Sequence, residues 1–293
     1  MEYIEPMKAK LSDIAFLSSV SNDPRWVAGE KFDGYRELLY LGTDHNELIS
    51  SGGNNHIHCV PQFKVVIPEL ADTILDCEGM APTRRLEDNA GCFKCDPQSA
   101  IAWQDKHGMA FLVTFDILQY RGQLIIDMPF MQRRRFLEDV YATMIRHSFF
   151  NTQLRLEKLV IDNKLAYYNQ ITARTTQEGH EGIILKDMRA PYQPGKRGNA
   201  WLKVKRFESL TYYIIDFEPG TGKYEGMVGA VVYGVNNGFY TALGTASGMT
   251  DGERLDMTDH PEKYLNKKAL FECQEITDNG VMRHPRYIRM QES

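Results

Sequence analysis

Alternating and continuously apolar runs dominate this chain, with few helical stripes between them. Glu37 to Leu41 reads as a strand following an Asp33-Gly34 turn signal, and Thr73 to Glu78 as a second. Ala110 to Leu118 reads as a third, so continuously apolar that it belongs inside its sheet. In Glu181-Gly182-Ile183-Ile184-Leu185-Lys186 the apolar run implies burial on both sides, so Glu181 at its mouth needs a partner. Strand alternation over Trp201 to Lys205 puts Trp201, Lys203 and Lys205 on one face and Leu202 and Val204 on the other. Helical spacing appears from Gln132 to Arg146, where Phe136, Leu137, Val140, Tyr141, Met144 and Ile145 form one stripe and Arg133-Arg134-Arg135 an exposed start. A second helix is predicted from an Asp162 cap through Leu165, Tyr168 and Ile171. No fixed-period repeat or low-complexity tract interrupts the pattern.

The texture changes near Phe207. Short strands such as Tyr212 to Asp216 and Val228 to Gly234 follow, separated by turns at Pro219-Gly220-Thr221-Gly222 and Asn236-Asn237-Gly238. This is the texture of a small Greek-key barrel, with the oligonucleotide/oligosaccharide-binding (OB) fold as the candidate. A length of 293 residues suits one large and one small domain. The expectation is an α+β chain with a domain over 1–206 followed by a barrel over 207–293.

Charge and cysteine content refine this picture. The net charge of −5 argues against a protein that coats nucleic acid nonspecifically, but it averages over faces. Between Lys186 and Arg206 the charges are Lys186, Arg189, Lys196, Arg197, Lys203, Lys205 and Arg206 against Asp187 alone, and Arg283, Arg286 and Arg289 crowd the C-terminal region. These clusters suggest a phosphodiester track, against the simpler reading of solvated basic faces. The five cysteines have no framework spacing, and Cys92-Phe93-Lys94-Cys95 lacks a second pair at zinc-ligand distance, which favours reduced thiols in a loop. No apolar run has the length of a membrane helix and the first residues carry neither a basic nor an apolar signal segment, so the expected location is cytoplasmic.

The most informative residues are Lys31-Phe32-Asp33-Gly34-Tyr35-Arg36, followed by the Glu181 and Trp201 segments. A free lysine is protonated at neutral pH and cannot attack. Lys203, Lys205 and a metal ion placed around Lys31 would lower its pKa by like-charge repulsion. The same charges would stabilise a triphosphate and its departing pyrophosphate. Magnesium, with manganese as an alternative, would also give Glu181 its partner. Read alone, the Lys31 segment is an ordinary hairpin turn with a surface Lys and Arg.

In this order and spacing the segments resemble the ATP-dependent DNA ligases of the compact, two-domain, bacteriophage-like type. Lys31 to Arg36 is similar to their nucleophile motif and Asp76-Cys77-Glu78 to the third. Phe115-Asp116-Ile117-Leu118, Glu181 to Lys186 and Trp201 to Lys205 match the next three. Pro191 to Arg197 and Asp278 to Tyr287 are ligase-like as well. The resemblance implies a nucleotidyltransferase (ATP-grasp-like) adenylation domain before the OB-fold barrel, and a monomer that seals nicked duplex DNA with ATP. ATP is preferred to NAD because the extra N-terminal module and zinc-finger cysteines of the NAD-dependent ligases are lacking. By the same resemblance Lys31 forms the lysyl-AMP, Glu30 lies beside the adenine, and Asp33 and Arg36 hold the ribose and the nick. Glu78 would meet the ribose hydroxyls and, with Glu181, the metal. Phe115 would stack on the base, Lys203 and Lys205 would contact the α-phosphate, and Arg283 and Arg289, as barrel residues, would orient the leaving pyrophosphate when the domains close. From the basic clusters, Lys196 and Arg197, with Arg283 and Arg289, are the expected DNA contacts. Two positions depart from the pattern: Ser51-Gly52 lacks the expected arginine, leaving the 5′-phosphate contact unassigned, and Cys77 replaces a glycine. An RNA ligase or RNA-capping guanylyltransferase shares the lysine chemistry, and a noncatalytic OB-type binder is the remaining alternative.

Overall fold

A computed structural model describes residues 3–147, 153–174, 180–276 and 281–291, and divides the chain into compact units Met1–Lys205 and Arg206–Ser293. The first part of the C-terminal segment starting at Asp278 lies outside the described residues.

In the first unit the strands are β1 (Lys10–Leu11), β2 (Trp26–Phe32), β3 (Tyr35–Leu41), β4 (Glu47–Ser50), β5 (Thr73–Met80), β6 (Phe111–Tyr120), β7 (Gln123–Leu124), β8 (Leu154–Leu156), β9 (Leu159–Val160), β10 (His180–Asp187) and β11 (Trp201–Lys205). One sheet has the order β1-β11-β10-β2-β9 and the other β4-β3-β5-β6-β7, with β8 parallel to β6. The helices are α1 (Ile14–Ser19), α2 (Leu86–Phe93), α3 (Pro97–His107), α4 (Phe130–Arg146) and α5 (Lys164–Thr172).

Strand alternation sorts side chains into three apolar layers. Trp26, Ala28, Ile183, Leu185, Leu202 and Val204 face α1 and α5 through Leu17, Tyr168 and Ile171. Leu39, Leu41, Leu75, Cys77, Leu112 and Ile117 pack with Phe93 of α2 and with Leu137, Val140 and Met144 of α4. The opposite faces of the two sheets meet through Leu38, Tyr40, Ile74, Phe115, Ile184 and Trp201. Every residue from Phe111 to Leu118 is buried, as the apolar run requires.

Lys31 to Arg36 is not a hairpin. β2 pairs with β10 and β9, whereas β3 pairs with β4 and β5, so Asp33-Gly34 carries the chain from one sheet to the other. Gly34 is required by close approach, because a Cβ there would stand 2.5 Å from Met80 Sδ and 2.8 Å from Glu78 Cγ.

Four local expectations change. The start of α4 is not an exposed basic face: Arg133 and Arg134 are buried and only Arg135 is exposed. Arg133 Nη2 pairs with Asp116 at 2.7 Å and Arg134 Nη2 donates to the Glu157 carbonyl at 2.8 Å, partners from distant segments that local periodicity does not display. Asp162 does not cap α5, whose N-cap is Asn163 in the left-handed region at φ 54°. Cys92 lies in the last turn of α2 rather than in a loop, and burial pushes its thiol up to about 12, leaving it unreactive. Lys186 does not join a surface track, being buried beside Glu157 at 2.5 Å.

The second unit holds β12 (Glu208–Pro219), β13 (Val228–Asn236), β14 (Tyr240–Ala246), α6 (Asp251–Asp259), β15 (Lys268–Cys273), β16 (Glu275–Ile276), β17 (Met282–Arg283) and β18 (Arg286–Met290). Its main sheet runs β14-β13-β12-β15-β18 around Ile214, Val231, Tyr233, Phe271 and Tyr287. The edge strands meet where Ser247 bridges Arg286 and Tyr287 N donates to the Ser247 carbonyl at 2.7 Å, closing the sheet into a barrel. Thr250 and Glu253 form a reciprocal capping box at the start of α6.

Candidate active site

Between the two sheets lies a cavity of about 360 Å³ whose walls include Lys31, Arg36, Glu78, Phe115, Trp201 and Lys203. Lys31 enters from β2 and Arg36 from β3. Cross-strand register then sets Glu78 opposite Arg36 and Asp76 opposite Leu38, so Arg36, Asp76 and Glu78 share the cavity side of their sheet.

Lys31 is half-buried and its amine contacts the Glu181 carboxylate, whose other oxygen takes Lys205 Nζ at 3.3 Å. Glu181 therefore finds its partners in two lysines. Burial, followed by the positive charge of Lys205, lowers the Lys31 pKa to about 8; Glu78 and Asp33 oppose the fall, and Lys203 adds to it more weakly. Like-charge repulsion thus acts as expected, but desolvation is the larger cause. Burial likewise pushes Glu78 up to about 7 against the pull of Arg36 and Lys31. The Glu78 carboxylate accepts from Gly34 N at 3.1 Å, which ties the sheet crossing to the cavity wall.

Arg36 is fixed more firmly than its motif alone suggests. Burial disfavours its charge, yet Asp76 outweighs that cost and keeps the guanidinium ionised, with Arg36 Nη2 at 2.6 Å from Asp76 Oδ2. Tyr192 OH donates to the same carboxylate at 2.7 Å and accepts from Met7 N at 2.8 Å. Asp76 and Tyr192 are positioning residues that reading the motif for Glu78 alone passes over. The signal for Asp76 was its two-residue offset from Glu78, which puts both on one strand face. Phe115 packs edge-on against Trp201 with ring centroids 5.9 Å apart, and the Arg36 guanidinium lies 4.5 Å from its ring centroid.

The remaining expected residues are placed less centrally. Glu30 reaches the cavity wall, but its carboxylate pairs with Arg84 at 3.0 Å, and alternation along β2 directs it away from Lys31. Asp33 does not line the cavity; its carbonyl accepts from Asn89 Nδ2 at 2.8 Å. Lys196 and Arg197 are exposed, Arg197 also lining the cavity and donating to the Ala9 carbonyl at 3.2 Å. Ser51 lines the cavity too. Arg283 and Arg289 belong to the second unit, on β17 and β18.

Among the described residues no group of three or more His, Cys, Asp or Glu is gathered to hold a metal ion. Glu181 nevertheless suits a magnesium ion that shares phosphate oxygens with a substrate. Among the described residues its buried Oε2 accepts no hydrogen bond and meets the Lys31 amine as an ion pair. Glu78 is less available because of its bond to Gly34. Among the described residues no helix is long and apolar enough to cross a membrane.

Residues 6–205 match the family model for the ATP dependent DNA ligase domain, and residues 219–291 that for the DNA ligase OB-like domain. The chain is 26% identical over 274 residues to DNA ligase 2 of Methanosarcina acetivorans, covering 88% of this chain and 47% of that protein. It is also 26% identical to a DNA ligase of Methanoculleus marisnigri, covering 100% of this chain and 56% of the relative. The chain thus spans about half the length of the curated relatives it matches. A solved Lig E DNA ligase superimposes with a TM-score of 0.70 at 20% identity, covering 99% of this chain and 100% of the other. The ATP-dependent DNA ligase of bacteriophage T7 in complex with ATP gives 0.55 at 17%, covering 98% of each. These likenesses bear out an adenylation domain followed by an OB-fold domain. Because a single family model accounts for residues 6–205 of 293, well over half of the sequence, the chain belongs to the ATP-dependent DNA ligase family.

Proposed function

We propose that the chain seals nicks in duplex DNA with ATP, as a cytoplasmic monomer, through a covalent adenylate on Lys31. The observation that carries this reading is the Lys31 amine, lowered to about 8 and facing a cavity walled by both sheets. In the first step the neutral amine attacks the α-phosphorus, the nitrogen–phosphorus bond forms and the bond to pyrophosphate breaks. Glu181, touching the amine, is placed to take the proton released. Lys203 and Lys205 offset charge on the phosphates, while Arg36 and Glu78 hold the ribose and Phe115 packs against the base. Magnesium, held by Glu181 and phosphate oxygens, would supply further charge neutralisation. Adenylate then passes to the 5′-phosphate of the nick, and the 3′-hydroxyl displaces AMP to close the backbone. Family membership and the OB-like domain favour DNA over the capping and RNA-ligase alternatives.

Intact mass after incubation with magnesium and ATP should show a gain of about 329 Da, mapped to Lys31; an unmodified chain would rule the reading out. The rate of that step should rise about tenfold per pH unit below about 8 and flatten above it, since only the neutral amine reacts. Lys205→Met should move the midpoint to higher pH, because it removes a positive neighbour and leaves Glu181 to Lys31 alone. A midpoint that stays put or moves to lower pH would contradict this electrostatic account.

For the duplex we propose Lys196, Arg197, Arg283 and Arg289 as phosphate contacts. Neutralising Lys196 and Arg197 should reduce the slope of log affinity for nicked duplex against log salt by about 2, close to one per contact. An unchanged slope would return the two residues to the solvated surface.

A further inference from the structure

Gly29 stands two residues before Lys31 on β2 and so faces the same side of its sheet. It has no side chain where one would collide with Glu157, since a Cβ there would lie 2.5 Å from the Glu157 Cδ. The carboxylate thus occupies the place a side chain at 29 would take. Glu157 lines the same cavity as Lys31 and Phe115.

Its backbone is pinned on both sides: N donates to the Thr114 carbonyl at 2.9 Å and O accepts from Arg134 Nη2 at 2.8 Å. Lys186 Nζ holds Oε2 at 2.5 Å, donates to the Phe115 carbonyl at 3.4 Å and lies 4.9 Å from the Phe115 ring centroid. Among the described residues Oε1 accepts no hydrogen bond. Glu157 and Lys186 are 3% and 1% exposed, so both charges have been stripped of water in a pair that contributes little to stability for that cost. An expensive pair with one oxygen spare, in a cavity wall and beside an aromatic ring, is suited to reading a ligand.

We infer that Glu157 is the base-reading residue of this site: its Oε1 accepts from the 6-amino group of adenine, and Lys186 holds it in place. This rests on Lys31 as the nucleotide acceptor. A 6-amino group is a donor and suits a carboxylate, whereas the 6-oxo group of guanine is an acceptor and is repelled by it. The residue so identified comes from the segment between β8 and β9, away from every motif quoted above.

The test is covalent nucleotidylation of the full chain with ATP, GTP and purine ribonucleoside triphosphate, which lacks the 6-amino group. Wild type should prefer ATP to the purine analogue by on the order of 100-fold in kcat/KM, as expected where a buried acceptor would be left unpaired. Glu157→Leu combined with Lys186→Met replaces the pair by apolar groups of similar length, which commonly preserves folding. In that double variant the preference should fall to about threefold or less. Glu157→Gln keeps an acceptor and should retain most of the preference. Equal use of ATP and the analogue by wild type, a comparison that needs no variant, would overturn the assignment. So would an unchanged ratio in the double variant. A wild-type chain that takes no nucleotide at all would instead remove the Lys31 reading on which the assignment rests.

Discussion

Lys31→Ala should abolish adenylate formation, by at least about a thousandfold, while leaving the melting temperature near that of wild type. The other lysines near the cavity are placed differently: Lys203 and Lys205 approach from β11, Lys205 is engaged with Glu181 and Lys186 with Glu157. The fold should tolerate the change because Lys31 is an ionisable group whose burial already disfavours its charge, and its loss leaves Glu181 paired with Lys205. Given a nick that already carries AMP on its 5′-phosphate, the variant should still join the ends, since in the proposed scheme the amine takes up adenylate in the first transfer, gives it up in the second and is not used in the last. Both substrates should therefore be assayed side by side. Failure on the pre-adenylated nick would mean that Lys31 also acts in the final sealing step, and normal activity from ATP would remove it from the chemistry.

The second large effect concerns stability. Asp116 and Arg133 are both fully buried and joined by two hydrogen bonds, 2.9 Å from Nε and 2.7 Å from Nη2. Arg133→Met strands a carboxylate inside the sheet-and-helix core. The expected cost is about 3–5 kcal/mol, a fall of roughly 10 °C in Tm for a unit of this size. Replacing both, Asp116→Leu with Arg133→Met, should recover most of the loss because no unpaired charge remains. Denaturant melts of the three proteins decide it: a single variant within 1 kcal/mol of wild type (roughly the value of an exposed pair) would mean that the pair is solvated.

Much of this architecture could be read from the chain because local pattern and burial agree. Phe111 to Tyr120 is central in its sheet, as its unbroken apolar run demands, and Trp201 to Lys205 splits into a cavity face and a helix face by simple alternation. What could not be read depends on contacts between distant segments. Three arginines in sequence resemble a solvated helix start until Asp116 and the Glu157 carbonyl are brought to them. Lys186 counted as one more surface cation until β10 placed it against Glu157. Glu30, adjacent to the nucleophile, reaches the cavity wall with its carboxylate already paired to Arg84, while Glu157, remote in sequence, lines the same wall. The Asp33-Gly34 signal marked a change of direction correctly, but a turn signal does not say which sheet the chain enters next.

That change of sheet has a mechanical consequence. The amine and the guanidinium of one short motif ride on different plates, and the dipeptide joining them is their hinge pin. In the proposed reaction the two groups hold one nucleotide from opposite plates. A nucleotide held by both would therefore fix the spacing of the plates, and a side chain at position 34, which would press on Glu78, Gly79 and Met80 of β5, should displace the crossing and slow the reaction without touching a reacting atom.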